Sequence, residues 1–533
     1  FEDTGVQLGS VTLLDPQTGH YTTELPIASE MLGEPKVLTG ADNALRGFNS
    51  SVGTISYSWR EITKGGSLTI GGGDHDLNFQ RIHNAITGSY GDSKDWTWGA
   101  EIESSRSESD GTIPYGDHAF DRTSGRIQLL GPDSQTDLVF GYQDKFFGLP
   151  GMYTGNEAYY RETEDIQTRL ILLSHHIEYG SDSFLEASLF HRRLSDHFIL
   201  KRDDPTFYQA LHETEADGIG VSGYHNLNES LALNFSSQIT SDKIKTTSSV
   251  PFNSRDYFKL SLVPQYKYSP KDNEVIVAKL GATFDDSNRD RSRYSPIAEL
   301  TRQRVYDLNL YDELFLSYSE TSQVLGYTAL ANGDQFKGDP NLKRGTSKNL
   351  ELGYILSNSE WKFSGAIFKR WDKDLVDWIF SNTDPGKRKS KQVDVETIGL
   401  ELIGSRSWQN FEAIASYTFL KKNEDYGNPS ITRSIYALNY PEQRATFGSI
   451  WRPTSIVEIR IDNEWRKQRM SQDRDKGPNS LLLSHFSASY YPSQNDDLEI
   501  FMAYDKPWDE DFQDIPGTPG RGDQFSFGAT YSW

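Results

Sequence analysis

The 533 residues carry a formal net charge of −22, no cysteine, and a mean hydropathy of −0.63 beside an aromatic content of 13 %. That acidic balance argues against a nucleic-acid partner, because neutralising phosphates calls for a basic face, and the missing thiols exclude a disulfide framework or a thiolate metal site. No apolar run reaches the roughly 18 residues a spanning helix needs, so a helical membrane protein is excluded while a barrel is not.

The chain opens at Phe1 without an initiator Met or a signal peptide and reads as trimmed. Its first unusual stretch is KVLTGADNALRGFNSSVGTISYSW, residues 36–59, far richer in glycine and small residues than a packed core requires. From about Ser58 onward the dominant signal has period two. VEIRIDNEWR sets Val457, Ile459, Ile461 and Trp465 on one face and Glu458, Arg460, Asp462, Glu464 and Arg466 on the other. QFSFGATYSW sets Phe525, Phe527, Ala529, Tyr531 and Trp533 opposite Gln524, Ser526, Gly528, Thr530 and Ser532. One face ends in aromatics and the other is charged or tiny, which is the lipid-out, water-in pattern of a transmembrane barrel.

The punctuation alternates. Short turn signals at 268–275, 357–361, 452–455 and 491–497 interleave with long polar stretches at 106–122, 145–161, 202–215, 380–394 and 505–522. Short turns on one side and long loops on the other are the asymmetry of outer-membrane barrels, and at roughly 20 to 22 residues per strand and connection the chain holds about 22 antiparallel strands. A lumen that wide needs a plug. The expected fold is all-β: residues 1–57 the C-terminal part of a plug, and residues 58–533 a transmembrane barrel. The final aromatic, Trp533, suits a closing barrel strand.

Several features read as bland. GGG at 71–73 is no phosphate loop, since no Lys-Ser/Thr follows. GDHD at 73–76 and FDDSNRDR at 284–291 could hold a structural Ca²⁺ but lack calcium-loop spacing and read as solvated loops. KRKSK at 387–391 also reads as a solvated loop. His175 and His176 point to opposite strand faces, poor for one metal. There is no Gly-x-Ser-x-Gly elbow, no resident cofactor is expected, and the chain does not read as an enzyme.

Residues Val37, Leu38, Gly40, Ala44, Leu45, Gly47, Gly53, Thr54 and Ile55 resemble the end of the plug of TonB-dependent outer-membrane receptors. Ala41 stands where that family usually has Pro, and Arg46 where it has Tyr. Residues 314–354 resemble the family's strand, long loop and Ser-x-Asn-x-Glu-Leu-Gly strand, here with Asp339, Pro340, Asn341 and Leu342 in the turn, then Ser347, Asn349, Glu351, Leu352 and Gly353. PGTPGRGDQFSFGATYSW is similar to its closing hairpin. DPQTGHYTTELPIASEM, YQDKFFGLPGMY and the segment 190–223 resemble the cobalamin-receptor-like branch.

The resemblance implies TonB-driven uptake of a scarce, large small-molecule ligand across the bacterial outer membrane, a cobalamin-like corrinoid first and a ferric siderophore or haem as the alternative. Implied partners are the bilayer, the TonB complex and a surface lipoprotein. Family plugs are longer, so the first half and its TonB-contacting segment are expected outside this chain. The loop implied at the outer apex offers Asp15, Gln17, Thr18, His20 and Tyr21, whose competing role is turn building. The presumed external loop around KFFGLPGMY offers Phe146, Phe147, Met152 and Tyr153. Tyr327 is added, with Tyr208, Trp371 and Trp378 behind it. Gly40, Arg46, Gly47 and Gly53 mark the expected plug-barrel junction, where glycine permits close backbone approach. A passive porin or adhesin and a barrel enzyme remain as readings of other classes.

Overall fold

Alternating side chains leave a strand with one face for hydrocarbon and one for water, and in lipid such strands must close, because an open edge would leave unpaired amides. The computed structural model, which describes residues 3–90, 95–153, 161–307, 309–333, 336–380, 388–431, 433–470, 478–492 and 497–533, closes in this way. Twenty-two antiparallel strands run from Gly65–Gly73 to Gln524–Ser532, and these two pair with each other, Thr530 opposite Thr69. Leu189, Ile219 and Ile239 stand opposite one another on the outer face of three neighbouring strands, all exposed as a lipid belt would be. Trp98, Tyr179, Tyr268, Tyr490 and Tyr531, also exposed, ring the end that carries the short turns, where amphipathic rings favour the membrane interface.

The expected asymmetry holds. Connections at 132–133, 180–182, 272–273, 358–360 and 455–456 lie at one end, and those at 110–117, 149–162, 200–208, 324–344, 426–440 and 508–523 at the other. The outer-side strands run farther into the polar stretches than expected: Gln209–Asn226 takes in 209–215 of the stretch 202–215, and Ser134–Gly148 absorbs Phe146 and Phe147. Above the lipid belt the outward face turns polar, as the Arg193–Glu213 and Lys245–Glu213 pairs show, so the wall projects from the membrane.

Inside the lumen, β1 (Thr4–Leu8), β2 (Val11–Leu13), β3 (Lys36–Leu38) and β4 (Gly53–Tyr57) form a four-stranded sheet in the order β2-β1-β4-β3, with β1 and β4 parallel. Leu8, Val11, Leu13, Ile27, Ala28 and Met31 pack against Val139, Leu170, Leu172 and Phe190 of the wall.

The glycine-rich stretch at 36–59 belongs wholly to this inner body. Its centre is a helix, α1 (Gly40–Arg46), and its end is plug strand β4 rather than a barrel strand; the wall begins only at Gly65. Ala41, Ala44 and Leu45 of α1 pack on Val263 and Ile297 of the wall. Lys259 reaches across to donate to the carbonyls of Ala44 (2.9 Å) and Gly47, a cation on the negative end of the helix. Gly40, at φ +50°, has Glu351 and Ser317 so near that a Cβ would sit 3.3 Å from each. Gly47 abuts the side chains of Asn43, Ser50 and Thr54, and a Cβ on Gly53 would stand 3.0 Å from the Leu38 carbonyl. Arg46 closes the helix and is half-buried.

The basic run at 387–391 differs from its reading as a loop. Lys387 lies outside the described residues, but Arg388 starts a wall strand, Arg388–Ser407, and is buried with its guanidinium over Phe380 at 3.7 Å. Ser390 is buried too and donates to the Ala329 carbonyl at 3.0 Å. Alternation holds from Arg388 to Lys391, with Arg388 and Ser390 pointing into the lumen.

Candidate functional site

The plug's outer tip is the turn at 14–24, built by one carboxylate. Asp15 accepts the amides of Gln17 and Tyr21, both at 3.1 Å, and the Thr18 hydroxyl at 3.2 Å. Gly19, at φ +76°, lets the chain enter the 3-10 turn His20–Thr23. Asp15 therefore takes the turn-building role, as Asp residues do when they bond the backbone two residues on. The side chain of His20 lies outside the described residues.

Two wall strands hold this tip from one flank. Gln17 donates its amide to Asp196 at 2.5 Å, and the Tyr21 hydroxyl donates to Glu164. The Arg192 guanidinium, fully desolvated, reaches the carbonyls of Leu14 (2.8 Å) and Tyr21. Burial, followed by the neighbouring Tyr153, Asp196 and Glu164, pushes the Tyr21 phenol well above its ordinary range, so it stays protonated and donates. Gln17 and Tyr21 are thus buried tethers in this state rather than open ligand contacts.

An outer loop clamps the other flank. Tyr327 and Thr328 donate their amides to the carbonyls of Pro16 and Gln17, each at 2.9 Å. Asn49 and Val324 exchange two hydrogen bonds, 2.8 and 3.3 Å. Tyr327 is completely buried, with its hydroxyl on Asp242 at 2.6 Å and its ring under the Arg255 guanidinium at 4.1 Å, while Arg255 pairs with Asp242 at 3.2 Å. Gly326 is required here, since a Cβ would meet the Gln17 carbonyl at 2.7 Å.

Aromatic side chains gather above. Tyr153 meets Phe198 edge-on at 5.0 Å and Phe336 at 5.6 Å; Phe336 meets Trp378 at 5.4 Å, and Phe198 meets Tyr208 at 6.3 Å. The structure therefore brings together Tyr21, Tyr153, Tyr208 and Trp378 from four distant segments. It separates others. Phe147 points inward against Tyr21, Ile166 and Leu194, whereas Phe146, one residue earlier, turns outward beside Arg202 at 5.8 Å. Trp371 likewise faces outward beneath Lys369 at 4.8 Å. Met152 is half-buried in the turn after Leu149. Arg192, Asp196, Glu164, Asp242 and Arg255 were not foreseen. Their signal is charge on the lumen-facing register, with Arg192 and Asp196 four residues apart on one strand face.

Beside the plug tip, at the outer end of the lumen, lies a cavity of about 570 Å³ between the plug edge, at Asp3, Thr4 and Val52, the loop residues Gln323 and Leu325, and the wall around Phe368, Arg370 and Lys422. The acidic stretches are spent locally: Asp74 accepts the Phe525 amide at 3.1 Å, and Asp290 lies 3.5 Å from Arg344. Among the described residues no three His, Asp or Glu side chains converge to hold a metal ion.

A plugged barrel with this mouth finds its match in comparisons. Residues 36–508 match the family model described as TonB dependent receptor-like, beta-barrel. The chain belongs to the TonB-dependent receptor family. It is accordingly an outer-membrane protein. The receptor's fold is similar to the siderophore receptor PirA from Pseudomonas aeruginosa, with a TM-score of 0.68 at 13 % identity, covering 100 % of this chain and 91 % of that one. It is also similar to the copper transporter OprC, with a TM-score of 0.76 at 12 % identity, covering 100 % and 91 %. A third likeness is the ferric enterobactin receptor PfeA from Pseudomonas aeruginosa in complex with enterobactin, with a TM-score of 0.73 at 14 % identity, covering 100 % and 92 %. No curated protein sequence matches the receptor.

Proposed function

We propose that this receptor takes up a scarce, metal-bearing organic ligand, too large for a diffusion pore, through a TonB-driven movement of the plug. The observation that carries the reading is the double tether of the plug tip: Gln17 and Tyr21 to one pair of strands, Pro16 and Gln17 to the loop beginning at Val324. A passive pore gains nothing from a lumen stopper whose outermost turn is hydrogen-bonded to a surface loop. A gated receptor does, because a ligand that displaces the loop also disturbs the plug.

A corrinoid is the first ligand class, on the likeness of the segments around 15–31 and 142–153 to the cobalamin-receptor-like branch. A ferric siderophore is the second, supported by solved neighbours that are siderophore receptors. A deletion strain complemented with the receptor decides between them: growth rescue on limiting corrinoid supports the first class, rescue on limiting ferric siderophore the second. Rescue that persists without TonB would overturn the uptake reading itself.

A further inference from the structure

Two buried carboxyl groups receive the plug tip, and they stand side by side. Glu164 and Asp196 belong to the neighbouring strands Thr163–Tyr179 and Ser183–Ile199, each 3 % exposed, above the lipid belt and level with the outward Arg193–Glu213 pair. Asp196 lies opposite Ile166 and Glu164 opposite Phe198, so the two are diagonal neighbours on one face, within hydrogen-bonding reach of each other. Everything they receive is uncharged. Gln17 donates its amide to Asp196 Oδ2 at 2.5 Å, the Tyr21 hydroxyl donates to Glu164 Oε1, and the Tyr153 hydroxyl reaches Glu164 Oε2 at 3.4 Å. Among the described residues no cation comes within ion-pair distance of either carboxyl, and Asp196 Oδ1, though buried, has no donor.

The charged groups around the pair are engaged elsewhere. Arg192, on the same strand face, spends its guanidinium on the carbonyls of Leu14 and Tyr21, and Lys145, one strand over, is paired with Glu24 at 2.5 Å. Glu162 and Asp15 add negative charge, the first holding the Tyr153 amide at 3.1 Å and the second the amides of its own turn. His212, directly across from Asp196, shares a hydrogen bond with the Thr246 hydroxyl at 2.7 Å, and burial holds its imidazole down at about 4, so it is neutral. His197 and Asp165 pair with each other on the opposite, outward face. Burial raises the Tyr21 and Tyr153 phenols, which stay protonated. Two ionised carboxylates in contact repel, and a buried oxygen without a donor costs free energy. A proton on Asp196 Oδ1, donated to Glu164, removes both faults. Burial, and after it the charge of Glu162, accordingly lifts Glu164 to about 7, and burial followed by the Glu164 charge lifts Asp196 well above the usual carboxylate range.

The geometry points to a proton-operated latch: Asp196 carries a proton on Oδ1, donates it to Glu164, and the closed pair presents its remaining oxygens to Gln17 and Tyr21 of the plug tip. When the tip leaves, water reaches the pair, both groups return to ordinary carboxylates, and the proton passes to solvent. Docking of the tip therefore takes up one proton and undocking gives it back. The docked state holds a proton that the solvated pair has already lost, so this contribution is whole below the ordinary carboxylate value of about 4 and shrinks as pH rises. It is gone once pH passes the docked pair's own release, at about 7 or above. Acid tightens the latch and alkali slackens it. The latch goes beyond the uptake reading and does not depend on which ligand the mouth admits.

The test uses the whole chain folded in detergent, with hydrogen exchange of the segment 15–23 followed from about pH 5 to about pH 8 and corrected for the intrinsic pH dependence of amide exchange. Protection there is expected to fall by up to about tenfold per pH unit, the dependence that one proton gives, while the wall strands keep theirs. Asp196→Asn sets an amide N–H where the proton sits and keeps the bond to Glu164 at every pH, so its profile is expected to be flat at the acid value of the wild type. Glu164→Gln is expected to flatten the profile too, and His212→Gln to keep the wild-type slope. The infrared difference between wild type and Asp196→Asn at neutral pH is expected to show the carbonyl stretch of a buried protonated carboxylic acid. Undiminished heat-modifiable migration in gels shows that each variant barrel is folded. A flat wild-type profile, a wild-type slope in Asp196→Asn, a slope lost in His212→Gln, or no acid carbonyl band would each overturn the latch. Neither growth nor TonB enters these measurements, so their failure leaves the uptake reading untouched, and failed growth rescue leaves the latch untouched.

Discussion

The same chemical device, an arginine paired with a carboxylate on the lumen-facing register, occurs on both sides of the lumen in two different environments. On the side between Thr97–Ser109 and Tyr311–Gln323, Arg126 meets Glu101 at 2.6 Å and Asp137 at 3.2 Å with every partner nearly sealed from solvent, and Arg255 meets Asp242 likewise. On the side between Phe411–Asp425 and Gln524–Ser532, Arg452 meets Glu412 and Glu458, and Arg460 meets Asp462, with about half of each arginine exposed. The plug makes the difference. It lays Trp59 against the Arg126 guanidinium at 5.9 Å and brings the Pro16 carbonyl to Arg255 at 3.4 Å, and its hydrogen bonds to the wall run along strands between Arg81 and Arg370. Identical pairs therefore serve different ends: sealed pairs fix where the plug sits, and open pairs keep a wide lumen wetted.

The largest effect expected from breaking this contrast is at Arg126. Arg126→Leu strands Glu101 and Asp137 as buried carboxylates, which costs about 3–5 kcal/mol. Chemical unfolding of the folded barrel in detergent, followed by Trp fluorescence, measures it. Arg460→Ala on the open side is expected to cost about 0–1 kcal/mol by the same assay, as exposed pairs do. Equal losses at the two sites would show that plug burial does not set the strength of the pairs.

Next comes the join between wall and plug strand β2. Gln238 uses its carboxamide as a strand edge, accepting the Thr12 amide and donating to the Thr12 carbonyl, both at 2.9 Å. Gln238→Leu leaves two buried backbone groups unpaired and is expected to cost about 1–3 kcal/mol. Hydrogen exchange is expected to rise at Thr12 while the wall strands stay protected; unchanged protection at Thr12 would mean that the sheet holds itself without the wall.

The wall was legible in the sequence because its rule is local. Period two, short turns and long loops are each written in a few neighbouring residues, so the barrel, its strand number and its asymmetry follow directly. The mouth was much less so. Gln238 and Thr12 are 226 residues apart, and nothing in SSQIT or GSVTL names the other as partner. Phe146 and Phe147 show a second limit: the Gly148, Pro150 and Gly151 that follow them suggested a loop, yet the strand runs to Gly148, which sends the two rings to opposite sides of the wall. The stretch at 36–59 shows a third. Its small residues were legible as close approach, but a seven-residue helix capped by a lysine more than 200 positions away is a tertiary fact.

The smallest structural perturbation sharpens the comparison at the mouth, where the sealed side meets solvent. Tyr21→Phe removes a single hydroxyl while keeping the ring against Ile166 and Leu194, so packing is preserved and the tether to Glu164 is lost. The expected stability loss is about 1 kcal/mol, the net worth of one ordinary hydrogen bond, because Glu164 keeps the Tyr153 hydroxyl at 3.4 Å. The plug tip is still held by Gln17, by Arg192 and by the loop from Val324, so planar-bilayer conductance is expected to stay closed in Tyr21→Phe. Combining it with Tyr327→Phe also frees the clamping loop from the wall at Asp242, so that the loop's backbone bonds to Pro16 and Gln17 lose their anchor, and is expected to produce brief openings. If the double variant stays closed while Arg126→Leu opens, the stopper is held by its buried flank alone and the outer loop contributes nothing to gating. If the double variant opens while the single ones do not, the two tethers act together, as a ligand arriving from outside requires.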